Sequence, residues 1–137
     1  MSVIREYLFG HAEVRVEPDL VSVRLHGGMT QEQIPHSRAL LRELHEQQGG
    51  SFLLLDLKEA ERTSPALRRA MSQIFSEMAP TAMAVYGANL EQRATHELLM
   101  GAVTGLSGRR PNVAYFASES EAREWLGAER RRLKAPA

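Results

Sequence analysis

The residues best placed to do chemistry are a hydroxyl pair, Thr63 and Ser64, followed by Pro65 and set among Arg62, Arg68 and Arg69. They stand where an apolar run, Phe52 to Leu55, has passed through Asp56 and a polar stretch and a helix begins. Two uses fit this placement. Ser64 can cap the helix by taking a free backbone amide, with Pro65 at the first helical position, where a missing N–H costs nothing. Alternatively, a phosphate on Ser64 or Thr63, or one carried by a ligand, would be favoured by the helix dipole and the nearby guanidinium groups. Asp56 ends a strand whose C-terminal edge should border the crevice where open α/β sheets place ligands. It could orient a partner or a cation there, or cap the chain through its own backbone.

Little else has catalytic spacing. His11, His26, His36, His45 and His96 are scattered without metal-site pairing, so surface or half-buried positions and no metal are expected. No nucleophile elbow, Walker loop or dinucleotide fingerprint occurs. We therefore expect no catalytic residues, no cofactor and no enzyme. The absence of cysteine removes disulfides, thiolate metal sites and a thiol nucleophile. Seventeen basic and seventeen acidic side chains balance, so no global field draws the chain to nucleic acid or an anionic membrane. Arg130, Arg131, Arg132 and Lys134 suit the C-terminal end of a helix, where cations lie solvated. No apolar run is long enough for a membrane helix, so no membrane insertion and a cytoplasmic location are expected.

The elements that must position these residues follow from periodicity and caps. Val14 to Val16 and Leu20 to Leu25 alternate apolar with polar residues around a turn at Glu17, Pro18 and Asp19, which predicts an antiparallel hairpin. Thr30 and Gln33 have capping-box spacing for a helix that turns Ile34, Ser37, Leu41 and Leu44 inward and stops at Gly49 and Gly50. Phe52 to Leu55 predicts a central strand covered on both faces. A second helix carries Leu67, Ala70, Met71, Ile74, Phe75 and Met78 on one stripe, with Arg68, Arg69, Ser72, Gln73 and Ser76 opposite, until Pro80. Ala82 to Tyr86 predicts another buried strand. Asn89 with Gln92 caps a third helix to about Leu106. Val113 to Phe116 is the last strand, and Ser118 with Glu121 opens a helix anchored by Ala122, Trp125 and Leu126.

The resulting order, ββαβαβαβα, predicts an α/β fold. We expect a mixed, mostly parallel five-stranded sheet with about four helices and its antiparallel strands at one edge. Residues 1–128 would form one domain and residues 129–137 a basic tail. The third helix stands out because Leu98 to Leu106 is apolar almost all round. It is either sandwiched in the core or covered by a second copy, with Met100, Gly101, Thr104 and Gly105 as candidate self-association residues.

The "LLLDL" strand leading to a hydroxyl-opened helix, together with the closing "VAYFASESEAREWL", resembles the STAS superfamily. Within it, the likeness is to small bacterial proteins akin to the sporulation anti-anti-sigma factor, a branch also compared with CRAL-TRIO lipid-binding domains. The resemblance runs from about Glu13 to Gly127. In the antagonists of that superfamily the helix opens with Asp-Ser-Ser-Gly, and a partner kinase phosphorylates the second serine. Here Asp56 and Leu57 match the strand end, Ser64 falls on the first serine, and Pro65 falls on the phosphorylated one. Proline has no hydroxyl, which removes that acceptor.

The resemblance, with the polar segment at the end of a core strand and no catalytic constellation, implies a non-enzymatic signalling or scaffold module that binds a protein, such as a kinase, anti-sigma factor or scaffold component, while the third helix offers the contact for a homodimer. The expected docking surface is the loop Lys58 to Ser64 with the second helix: Lys58, Glu59, Glu61, Arg62, Thr63, Ser64, Arg68, Arg69 and Ser72. Ser64 and Thr63 are candidate phosphorylation positions. The alternative is a carrier of a small apolar ligand or lipid, with a pocket between the third helix and the sheet lined by Met83, Leu98, Leu99, Val103 and Tyr115.

Overall fold

The computed structural model describes residues 5–9, 12–17, 20–27, 32, 34–48, 52–61, 64–78 and 80–134. Its strands are β1 (Arg5–Phe9), β2 (Ala12–Val16), β3 (Val21–Gly27), β4 (Phe52–Ala60), β5 (Ala82–Tyr86) and β6 (Val113–Phe116). Its helices are α1 (Ile34–Gln48), α2 (Pro65–Glu77), α3 (Leu90–Ser107) and α4 (Glu119–Lys134). The mixed, mostly parallel α/β architecture and its element order are as expected from sequence.

The strands lie side by side in chain order, β1 to β6. β2 runs antiparallel to both of its neighbours, β1 and β3, whereas β3 to β6 run parallel, each connected to the next through a helix. Every expected strand is present, and β1 adds one more at the antiparallel edge. A border strand has one neighbour and one face to satisfy, so it needs little apolar periodicity to form. Its pairing is reinforced by Glu6, which faces Arg15 on β2 and meets its guanidinium at 3.0 Å.

Alternation in β2 buries Ala12, Val14 and Val16 and leaves Glu13 and Arg15 in solvent. β4 and β5 bury continuous runs, Leu53 to Leu57 and Ala82 to Tyr86. Only a strand packed on both faces does this. One face packs Leu53, Leu55, Met83 and Val85 against Leu40 of α1, Phe75 of α2, and Met100 and Val103 of α3. The other packs Leu54, Ala82, Ala84 and Tyr86 against Ala122 and Leu126 of α4. The small alanines of β5 and α4 let that helix approach the sheet closely. Three helices thus cover one face and one covers the other, a distribution the sequence does not dictate.

Of the three predicted capping boxes, that at Asn89 is complete, that at Ser118 forms through the serine hydroxyl alone, and that at Thr30 lies outside the described residues. The Asn89 side chain accepts the Gln92 amide and the Gln92 side chain accepts the Asn89 amide, both at 2.8 Å. Ser118 Oγ accepts the Glu121 amide at 3.3 Å and donates to the Glu121 carboxylate at 3.0 Å. Thr30 and Gln33 are not described. α4 continues through Lys134, so the basic run from residue 129 is helical up to that point.

Candidate functional site

β4 leaves the core at Leu57 but does not end there. Lys58 and Glu59 are exposed yet remain in the strand, with Glu59 opposite His26 and Ala60 opposite Gly27 on β3. This corrects the expectation that a loop begins at Lys58: the connection to α2 starts at Glu61. A register shift between Arg24 and His26 accompanies this extension. It sets His26 between two carboxylates, Glu13 of β2 and Glu59 of β4, with a contact from each ring nitrogen. The bond to Glu13, then that to Glu59, raises the imidazole pKa above its ordinary value. Three strand ends are clasped by one side chain.

Asp56, one turn of the pleat earlier, is buried with 4 % of its surface exposed. Oδ1 accepts the Lys58 amide at 2.9 Å, and Oδ2 lies 3.2 Å from Arg24 Nε and 3.2 Å from the Tyr86 hydroxyl. The same hydroxyl is 3.3 Å from Glu119 Oε1. Its single proton therefore serves one carboxylate at a time. Burial, with the charges of Asp56 and Glu119 added, pushes the phenol up to about 12. Arg123 donates to Glu119 at 2.7 Å and to both oxygens of Glu17 at 3.1 and 3.0 Å. The hydrogen bond from Arg123 holds Glu119 below its ordinary value. Asp56 is thus spent inside a network that fastens α4 to β3, β4 and β5, and of its two expected uses the structure bears out bonding to its own backbone.

Ser64 caps α2. Its side chain accepts the Leu67 amide at 3.1 Å, and Pro65 occupies the first helical turn. Arg62 and Thr63 lie outside the described residues. Glu61, Ser64 and Arg69 are exposed and Arg68 is half-buried. Ser72, expected on the exposed face, is buried, and its hydroxyl donates to the Arg68 carbonyl at 2.8 Å. A hydroxyl that bonds to its own helix no longer needs water, which lets Ser72 face inward despite its polarity.

On α3, Met100 is 8 % exposed and belongs to the core, which corrects its assignment as a contact residue. Thr104 is half-buried and donates to the Met100 carbonyl at 3.0 Å. Gly101 and Gly105 do face outward, with nothing within 4 Å of where a side chain would begin. They lie between Leu98, 71 % exposed, and Leu106, 60 % exposed.

The pocket expected between α3 and the sheet is closed. Met83 and Val103 are buried there, and the remaining void measures about 10 Å³. Instead a cavity of about 310 Å³ opens between the β2 to β4 face and α1, α2 and the N-terminal half of α3. Val21, Val23, Leu25, Leu41, Met71 and Leu99 are among its apolar walls, and small Ala12, Ser37 and Ala60 leave the room. Leu99 alone comes from the expected pocket list. The exposed side chains in the lining, Glu61, Asn89 and Glu91, mark its mouth.

His96 also lines the cavity, and its burial overturns the expectation of a surface or half-buried histidine. Nδ1 lies 2.7 Å from the Tyr115 hydroxyl, and the rings meet edge to face with centroids 5.5 Å apart. Desolvation lowers the imidazole to about 4. The Tyr115 ring also carries the Arg93 guanidinium at 4.6 Å from its centroid. The sequence holds a signal for this site: His96, Leu99, Met100 and Val103 share the inward stripe of one helix.

Among the described residues no group of three or more His, Asp or Glu side chains is arranged to hold a metal ion. No helix among them is long and apolar enough to cross a membrane.

The family model described as SpoIIAA-like matches residues 20–127, and the chain belongs to that family. Solved structures share the fold at low sequence identity. An uncharacterized protein with a SpoIIAA-like fold from Shewanella loihica superposes with TM-score 0.61 at 13% identity, over 91% of this chain and 93% of that one. The anti-sigma factor antagonist SpoIIAA in its unphosphorylated form gives 0.54 at 12%, over 91% and 98%. An anti-sigma factor antagonist from Mycobacterium paratuberculosis gives 0.55 at 14%, over 91% and 95%. No curated protein matches the chain in sequence.

Proposed function

We propose that the chain is a non-enzymatic interaction module of bacterial signalling or scaffolding that docks a protein partner through the end of β4 and the start of α2. One observation supports this most. The strand carries its polar residues Lys58 and Glu59 out of the core while still hydrogen-bonded to β3, and exposed Glu61, Ser64 and Arg69 follow. A charged ridge on a rigid strand end loses little conformational freedom when it is covered. The family's relation to anti-sigma factor antagonists points to a protein as the occupant. The test is crosslinking in the source cells to identify the partner, then its affinity for wild type and for Glu59→Lys with Arg69→Glu. A loss of tenfold or more is expected; unchanged affinity rejects the surface.

The exposed face of α3, from Leu98 to Leu106, is the candidate for contact with a second copy, because an apolar stripe in solvent favours burial.

A second reading is favoured by the cavity: the chain takes up a small apolar molecule. A volume of about 310 Å³ with mostly aliphatic walls lies at the lower end of ligand-site sizes. Native mass spectrometry of protein from its own host tests it: a retained small molecule is the expected outcome, and a bare chain argues against a tightly held ligand.

A further inference from the structure

We propose that the cavity admits an uncharged, largely apolar molecule carrying one hydrogen-bond acceptor, a ketone or ester oxygen, that is engaged by His96 Nε2. This rests on the second reading, that the cavity is a ligand site. Three features carry it. The first is position: His96 belongs to the lining of the cavity of about 310 Å³. The second is an unmet bond. Nδ1 is engaged by Tyr115, but Nε2 is buried with no hydrogen-bond partner among the described residues. Unpaired buried polar atoms are costly and rare, and a guest atom that bonds to one recovers that cost. The third is the proton. A phenol donates more readily than it accepts and an imidazole nitrogen accepts well, so Tyr115 O–H donates to Nδ1 and the ring proton rests on Nε2. His96 is therefore a donor, and its guest must accept.

Size and charge narrow the class. At about 310 Å³ the cavity is twice the ~150 Å³ apolar cavity that takes up a benzene, so a guest of about ten to fifteen non-hydrogen atoms fits. A carboxylate would be desolvated beside a neutral imidazole. Arg68, which also borders the cavity, already has an interaction within the protein.

Three probes of similar size separate the possibilities: butyrophenone, its hydrocarbon counterpart n-butylbenzene, and the carboxylate 4-phenylbutyrate, each titrated into the full chain by NMR. Butyrophenone is expected to bind about five- to tenfold more tightly than n-butylbenzene, the difference one hydrogen bond makes. It should also shift the His96 Nε2 resonance, which n-butylbenzene should not. In His96→Phe the preference should vanish while n-butylbenzene binding persists. If that variant does not fold, the wild-type nitrogen shifts decide alone. Equal affinities without a His96 shift, or a preference that survives His96→Phe, overturn the role of His96 and leave the cavity reading standing. Tighter 4-phenylbutyrate binding overturns the uncharged class. No binding of any probe overturns both the inference and the cavity reading.

Discussion

The Tyr115 hydroxyl lies 2.7 Å from His96 Nδ1 and so joins the last strand to the middle of α3 beneath Arg93. Burial of the pair pushes the phenol up to about 12 and the imidazole down to about 4, so both rings stay neutral across the physiological range.

Stability should consequently fall on acidification. The unfolded histidine takes a proton near its ordinary pKa of about 6.5, whereas the folded one waits until about 4. The unfolded state thus binds more protons between these values, and His96 costs up to roughly 3 kcal/mol of stability as pH drops through that window. An NMR titration should find the His96 ring neutral at pH 5. A midpoint near 6.5 would contradict its burial.

His26 should behave oppositely. Its raised pKa means that the clasp to Glu13 and Glu59 stabilises the fold fully below about pH 6.5 and is lost as pH rises through the higher folded value. Urea midpoints of wild type and His26→Gln should therefore converge at alkaline pH and separate at pH 6. Parallel curves over that range would reject the clasp.

Asp56→Ala should cost about 2 kcal/mol in urea unfolding, because it leaves the Lys58 amide without its acceptor and the buried Tyr86 hydroxyl with Glu119 alone, while the exposed Arg24 guanidinium turns to water. A cost below about 1 kcal/mol would mean that water replaces the carboxylate easily.

Much of the fold was legible in the sequence because burial and capping are local demands. The unbroken "LLLDL" and "AMAVY" runs announced strands covered on both faces, and Asn89 with Gln92 announced the start of α3. β1 was illegible since an edge strand asks little of its residues. The site was harder for a different reason. Ser72 and His96 are polar by type yet buried, Ser72 because its hydroxyl bonds the Arg68 carbonyl of its own helix and His96 through a tertiary bond to Tyr115, a residue nineteen positions away. The cavity depends on where α1 comes to rest against β3, a distance that no local pattern encodes.

Ser64→Ala should lower stability by about 1 kcal/mol and Ser64→Asp should restore it, since an aspartate also caps. Equal stability of Ser64→Ala and wild type in thermal melts would deny the cap.

Leu98→Glu with Leu106→Glu should leave the fold intact and convert any dimer to monomer in light scattering, as both side chains project into solvent. A dimer that survives both changes would lie elsewhere.

Hydrogen exchange of the chain, alone and with the partner recovered by crosslinking, addresses the docking surface most directly. Slowed exchange confined to Lys58 through Arg69 and the facing end of β3 is the predicted result. Protection confined to α4 and the β1 edge, with that segment unchanged, would contradict it.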